Sequence, residues 1–132
     1  MIRPMTIEQC PVKVTADIIG GKWKPLILYF LKQAGGTLRY GELRRYMGNV
    51  SKKVLTEQIR QLERDDIVAR KAHADGNSLR VEYTLTAHGN TLRPILKLMC
   101  DWGEEHRSRY GDRARGGSGS GVADAARHER RA

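Results

Sequence analysis

Residues 51–65 read SKKVLTEQIRQLERD, and the fold turns on this stretch. Ser51 is a good helix N-cap, because its hydroxyl can accept from an otherwise unpaired N–H of the first turn. Leu55, Ile59 and Leu62 follow at the i, i+4, i+7 spacing of a helix that buries one narrow face. The opposite face carries Lys53, Thr56, Glu57, Arg60 and Arg64, with Lys52 at its flank. Taken alone, this pattern fits a solvated surface helix as well as one that faces a polyanion. Its neighbours decide between the two.

Immediately upstream, Tyr40 to Met47 predicts a helix, and Gly48-Asn49-Val50 joins it to Ser51. Two helices joined by so short a turn, containing Gly, form a helix-turn-helix. Further back, Thr37-Leu38-Arg39 reads as a short extended piece. Leu26 to Lys32 is apolar nearly all round and is expected in the middle of the domain, with Pro25 in its first turn and Gly35-Gly36 at its end. Val12 to Ile19 predicts a short first helix with Val14, Ile18 and Ile19 inward, closed by Gly20-Gly21.

Downstream the period changes from helix to strand. Val68 to His73 and Leu79 to Leu85 predict a hairpin, with Val81, Tyr83 and Leu85 on one face and a turn-rich link over Ala74–Ser78. Thr86 caps a last helix expected from Ala87 to about Tyr110, bent at Pro94. Its residues Leu92, Ile95, Met99 and Trp102 are spaced 3, 4, 3, the pattern of a two-stranded seam. That seam is expected to pair with a second subunit, with help from the N-terminal helix, while Leu96, Leu98 and Cys100 supply apolar surface elsewhere. A single wide core-facing stripe is the plainer alternative. Cys100 is expected in the core.

At 132 residues, the chain suits one domain over residues 1–111. Residues 112–132 are rich in Gly, Ser and Arg without apolar period, and a flexible tail is expected there. The formal charge is +9; the tail carries five Arg against two Asp and one Glu, so most of the excess lies in the domain. Such a balance points to a polyanion, whether nucleic acid or an acidic membrane surface. Cys10 and Cys100 form no ligand cluster, and this usage fits a reducing cytoplasm. No segment approaches the ~18 consecutive apolar residues of a membrane span, and the N-terminus lacks a signal-peptide pattern. The chain has no P-loop, GxGxxG, HExxH or GxSxG, and His73, His88, His106 and His128 are scattered. Neither an enzyme nor a metal or cofactor site is expected.

The order of elements is that of a winged helix-turn-helix with a long C-terminal dimerisation helix, a mainly α member of the α+β class. The blocks Cys10-Pro11-Val12, Gly21-Lys22-Trp23-Lys24-Pro25-Leu26-Ile27, Leu38-Arg39-Tyr40-Gly41-Glu42-Leu43-Arg44-Arg45 and Ser51-Lys52-Lys53-Val54-Leu55-Thr56 lead the chain. Leu62-Glu63-Arg64-Asp65, Val81-Glu82-Tyr83-Thr84-Leu85-Thr86 and Trp102-Gly103 follow. Together, over residues 10 to about 106, they closely resemble the HxlR-type winged-helix transcriptional regulators. Two departures stand out: Asp66 where the family usually carries Gly, and Gly76-Asn77-Ser78-Leu79 where its wing commonly has a Pro-Pro pair.

The resemblance implies a homodimeric DNA-binding regulator, most simply a repressor, on a roughly palindromic operator. A recognition helix reaches base edges through its N-terminal part, which here holds Ser51, Lys52, Lys53 and Thr56. Arg60 lies one turn on and is expected to read guanine or clamp a phosphate; Glu57 is expected as its i, i+3 partner, with acceptance from a cytosine amino group as the alternative. Arg39 and Tyr40 are expected on the phosphate backbone, and Arg80, at the start of the second wing strand, is the DNA-binding candidate for the wing's minor-groove contact. Some members of the family sense oxidants or electrophiles through an N-terminal cysteine, a position that Cys10 matches. Its neighbours Lys13 and Glu8 act in opposite directions on a thiolate, and a packed, inert cysteine is the alternative. A small-molecule signal bound near Trp23, Tyr29, Phe30 and Trp102, or nonspecific architectural DNA binding, are the rival functions.

Overall fold

The computed structural model describes residues 6–111 of the chain; the tail expected over residues 112–132 lies outside them. A 3-10 turn at Ile7–Gln9 leads into α1 (Pro11–Ile19), α2 (Lys24–Gln33), β1 (Thr37–Arg39), α3 (Tyr40–Met47) and α4 (Lys52–Arg64). The hairpin β2 (Val68–Asp75) and β3 (Ser78–Leu85) follows, then the one-turn α5 (Ala87–Asn90) and the long α6 (Arg93–Tyr110). This is a winged helix-turn-helix.

The core forms where three helical faces and one sheet face exclude water together. Ile27, Leu28 and Leu31 of α2, Leu43 of α3, and Leu55, Ile59 and Leu62 of α4 are almost wholly shielded. α2 touches α3, α4, β1 and β3, so it is the central post against which the helix-turn-helix is held. The sheet order is β1-β3-β2, all antiparallel. The register Leu38↔Tyr83 and Val68↔Leu85 puts these four buried residues on one face, because side chains alternate along a strand. Thr37 and Thr84 meet across β1 and β3, their hydroxyls 2.9 Å apart.

The end of α4 is closed by two backbone bonds. Asp66 N–H donates to Glu63 C=O (3.0 Å) and Ile67 N–H to Leu62 C=O (2.9 Å). That is the Schellman pattern, which needs a left-handed residue at its centre; Asp66 takes it, with φ 61°. Thr86 then ties the far end of the hairpin back to this corner. Its hydroxyl donates to Asp66 C=O (2.6 Å) and accepts from Gly89 N–H (2.8 Å). Gly89 cannot carry a side chain here, because a Cβ would strike the Ile67 carbonyl.

Several expectations are corrected. The first helix buries only Ile19; Val14, expected inward, is exposed together with Val12. The hairpin strands run further than expected and leave only Gly76-Asn77 as the turn, with Gly76 at φ 67°. The last helix is not continuous from Ala87. Pro94 has no N–H for the Asn90 carbonyl and its ring would strike it, so the chain breaks after Asn90 and restarts with Pro94 in the first turn of α6. Asn90 Oδ1 instead accepts from Arg93 Nε at 2.7 Å. Leu92 consequently falls in the break and is buried, not on an open seam. Cys100, expected in the core, is exposed.

The chain divides into two compact units, the first ending at Arg93 and the second beginning at Pro94. Within α6, Leu96 is the buried residue. Ile95, Leu98, Met99 and Trp102 are exposed, the last at 69%. Lys97–Asp101 (2.9 Å) and Glu105–Arg109 (2.9 Å) are i, i+4 ion pairs on the same helix. Trp102 and His106 stack one turn apart with ring centroids 5.1 Å from one another, and Tyr110 lies one turn further on, tilted 39° to His106 at 5.0 Å.

Candidate nucleic-acid interface

Ser51 sits in extended conformation (φ −71°, ψ 154°) and its Oγ accepts from Val54 N–H at 3.1 Å. Because the rear of α4 is locked into the core by Leu55, Ile59 and Leu62, the helix cannot rotate without exposing all three. Its front is therefore held outward. Lys52, Lys53 and Arg60 are exposed, Thr56 is half-buried, and none of the three cations has an ion-pair or hydrogen-bond partner among the described residues. The expected Glu57–Arg60 pair does not form; Glu57 accepts from Gln61 Nε2 instead, at 3.4 Å. Arg60 is left available.

At the start of α3, Arg39 N–H donates to Glu42 Oε1 (2.9 Å), which fixes the first turn and leaves the Arg39 side chain in the exposed class. Tyr40 is half-buried, its ring centroid 6.4 Å from that of Tyr83, and its hydroxyl is shielded with no hydrogen-bond partner. Arg80 is half-buried on β3, opposite His73. Its Nε lies 3.7 Å from Glu82 Oε2, while Glu82 Oε1 is 3.2 Å from His73 Nε2. Arg80 thus has a carboxylate beside it without a hydrogen bond from its buried Nε, unlike Lys52, Lys53 and Arg60, which have no ion-pair partner among the described residues.

Between the inner face of the hairpin and the starts of α3 and α4 lies a cleft of about 460 Å³, bordered among others by Tyr40, Lys52, Arg70, Val81 and Tyr83. Arg70 pairs in register with Tyr83. Burial pushes the Tyr83 hydroxyl above its ordinary pKa, with a hydrogen bond from Arg70 pulling the other way. Sequence reading missed Arg70. The signal was available: it stands two residues after Val68, on the core side of β2, at the point where the core has given out.

Cys10 is half-buried and is the N-cap residue of α1; Cys100 is exposed on α6, and both thiols are free. Among the described residues, no cluster of three His, Cys, Asp or Glu side chains could hold a metal. Among them too, no helix is long and apolar enough to cross a membrane.

The model of the HxlR-like helix-turn-helix family matches residues 18–110. The chain belongs to that family. The HTH-type transcriptional regulator YdeP of Bacillus subtilis (strain 168) is 43% identical over 102 residues, 77% of each chain. Among solved structures, the redox regulator HypR in its oxidised form is 43% identical with a TM-score of 0.67, covering 73% of this chain and 96% of that one. Diamide-treated YodB from B. subtilis is 30% identical with a TM-score of 0.60, covering 74% and 94%. This HxlR-like protein is accordingly a DNA-binding transcriptional regulator of the helix-turn-helix type and not an enzyme.

Proposed function

We propose that this HxlR-like regulator is a cytoplasmic homodimeric repressor that reads a roughly palindromic operator through the front of α4. One observation carries the reading: Lys52, Lys53 and Arg60 stand exposed and unpartnered on a capped helix whose rear is fully buried. Ser51 and the first-turn N–H groups favour a phosphate, Lys53 and Thr56 reach base edges, and Arg60 clamps guanine or a phosphate. Arg39 and Tyr40 lie against the backbone, with Arg80 in a lesser, wing-borne role because Glu82 stands 3.7 Å from its Nε.

Two such helices reading successive major grooves must lie about 34–36 Å apart. The exposed apolar residues Ile95, Met99 and Trp102 support pairing of two copies through α6, and exposed Val12 and Val14 support a contribution from α1. DNase footprinting upstream of the protein's own gene tests the reading: two protected half-sites one helical turn apart are expected. Lys53→Ala and Arg60→Ala each weaken operator binding by about 1–3 kcal/mol and lower the salt slope by about 1, with the melting temperature unchanged. Wild-type affinity in both would remove α4 from the interface.

Binding answers to oxidants or electrophiles through Cys10. The support is its half-buried place at the start of α1 together with similarity to regulators solved in oxidised, reduced and diamide-treated states. Diamide is expected to change operator affinity at least about tenfold in the wild type and to leave Cys10→Ser unaffected. An equal response in both proteins assigns the effect elsewhere.

A further inference from the structure

The cleft under the hairpin is chemically distinct from the exposed front of α4. Its polar border is mostly donor: Arg39 and Tyr40 at the start of α3, Lys52 at the start of α4, Arg70 on the inner face of β2 and Ser78 on β3, against the single acid Asp75. Tyr40 lines the cleft and its hydroxyl has no partner and almost no exposed surface, an unmet donor whose cost an acceptor returns once a small shift of the ring opens the oxygen to the cleft. Arg70 gives one hydrogen bond to the Tyr83 hydroxyl and keeps further guanidinium N–H donors for an oxyanion. Arg80 borders the same cleft, but strand alternation puts its side chain on the outer face with Glu82 and His73. A volume of about 460 Å³ is more than one phosphate group fills.

We propose that this cleft is an oxyanion seat in which Tyr40, Arg70 and Lys52 hold one phosphate or carboxylate group. The occupant is a backbone phosphate when duplex is bound, and a free small oxyanion competes for the same place. The proposal rests on the reading of α4 as the DNA-facing helix, since that reading brings the backbone to the mouth of the cleft. Competition then makes the regulator's grip on DNA sensitive to the concentration of small anions beyond their effect on ionic strength.

The test uses the full chain with inorganic phosphate as probe and sodium chloride at matched ionic strength as reference. Amide resonances of Tyr40, Gly41 and Arg70 are expected to shift saturably with phosphate alone. Phosphate is also expected to raise the duplex Kd more than chloride does. Tyr40→Phe, which removes one hydroxyl and keeps the ring beside Tyr83, and Arg70→Gln each weaken both kinds of binding about tenfold. Lys71→Gln removes the same charge from the other face of the same strand and changes duplex affinity less than about threefold.

A loss of duplex affinity in the cleft variants without any saturable phosphate response overturns the competition. A phosphate response with unchanged duplex affinity overturns the backbone-phosphate occupant. If both variants behave as wild type while Lys53→Ala and Arg60→Ala still weaken duplex binding, the seat falls and the reading of α4 stands. If the wild type itself binds no duplex, that reading falls first.

Discussion

α4 and α6 are both amphipathic, yet they dispose of their apolar residues in opposite ways. In α4, Leu55, Ile59 and Leu62 are shut into the core and the outward face is Lys52, Lys53, Glu57, Arg60 and Arg64. In α6 only Leu96 is buried, while Ile95, Leu98, Met99 and Trp102 face out beside internal ion pairs. A helix of the first kind is complete within its protomer and offers charge to a polar partner. A helix of the second kind keeps a contiguous apolar surface that water penalises, which in soluble chains marks a protein-binding face. That contrast is what the proposed function rests on: it assigns nucleic acid to the first helix and a second copy to the other.

Breaking α4 from behind is expected to give the largest effect. Leu55→Ala removes a fully buried side chain from a junction that α2 and α4 share, leaving a cavity the surrounding helices cannot fill. A loss of about 2–5 kcal/mol is expected, a large share of the ~5–15 kcal/mol typical of a whole domain. Urea unfolding measures it. A cost under ~1 kcal/mol would mean that the rear of α4 is not the anchor that holds its front outward.

Breaking α6 is expected to cost association and not folding. Trp102→Glu puts a carboxylate into the apolar stripe, where pairing of two copies would bury it. The dimer dissociation constant should rise at least about a hundredfold, or ~2.7 kcal/mol, with helical content unchanged. Sedimentation equilibrium reads the mass and circular dichroism the helix. A mass identical to wild type would separate α6 from dimerisation and restore the plainer view of its stripe.

Where sequence reading succeeded, local chemistry and burial agreed. The Ser51 cap, the 55–59–62 stripe and the Tyr40–Met47 helix depend on neighbours within a few residues, and each is found as expected. Where it failed, the deciding partner was distant in the chain. Val14 lies on an apolar face, but periodicity says nothing about what covers that face, and Val14 stays exposed among the described residues. The backbone bond that Pro94 removes predicts a bend within one helix; the lost Asn90 bond instead divides the helix and carries Leu92 into the core. Arg70 follows Val68 by two residues and so shares its face, but what it meets there is set by the register opposite Tyr83, from a different strand.

The smallest expected change sharpens the comparison from the α4 side. Asp66 holds the left-handed centre of the turn that closes α4, with no hydrogen bond from its own carboxylate among the described residues. A non-glycine residue there costs about 1–2 kcal/mol in backbone strain, and somewhat less for Asp. Asp66→Gly relieves that strain but frees more of the unfolded chain. The carbonyl that accepts from Thr86 belongs to the backbone, so the clasp to β3 survives the substitution. A net gain of about 0.5–1 kcal/mol follows, seen as a rise of about 2–6 °C in melting temperature. The dimer mass should stay the same, because nothing on α6 has changed. A fall in melting temperature would show that the Asp66 carboxylate supports the corner in a way the backbone geometry does not require.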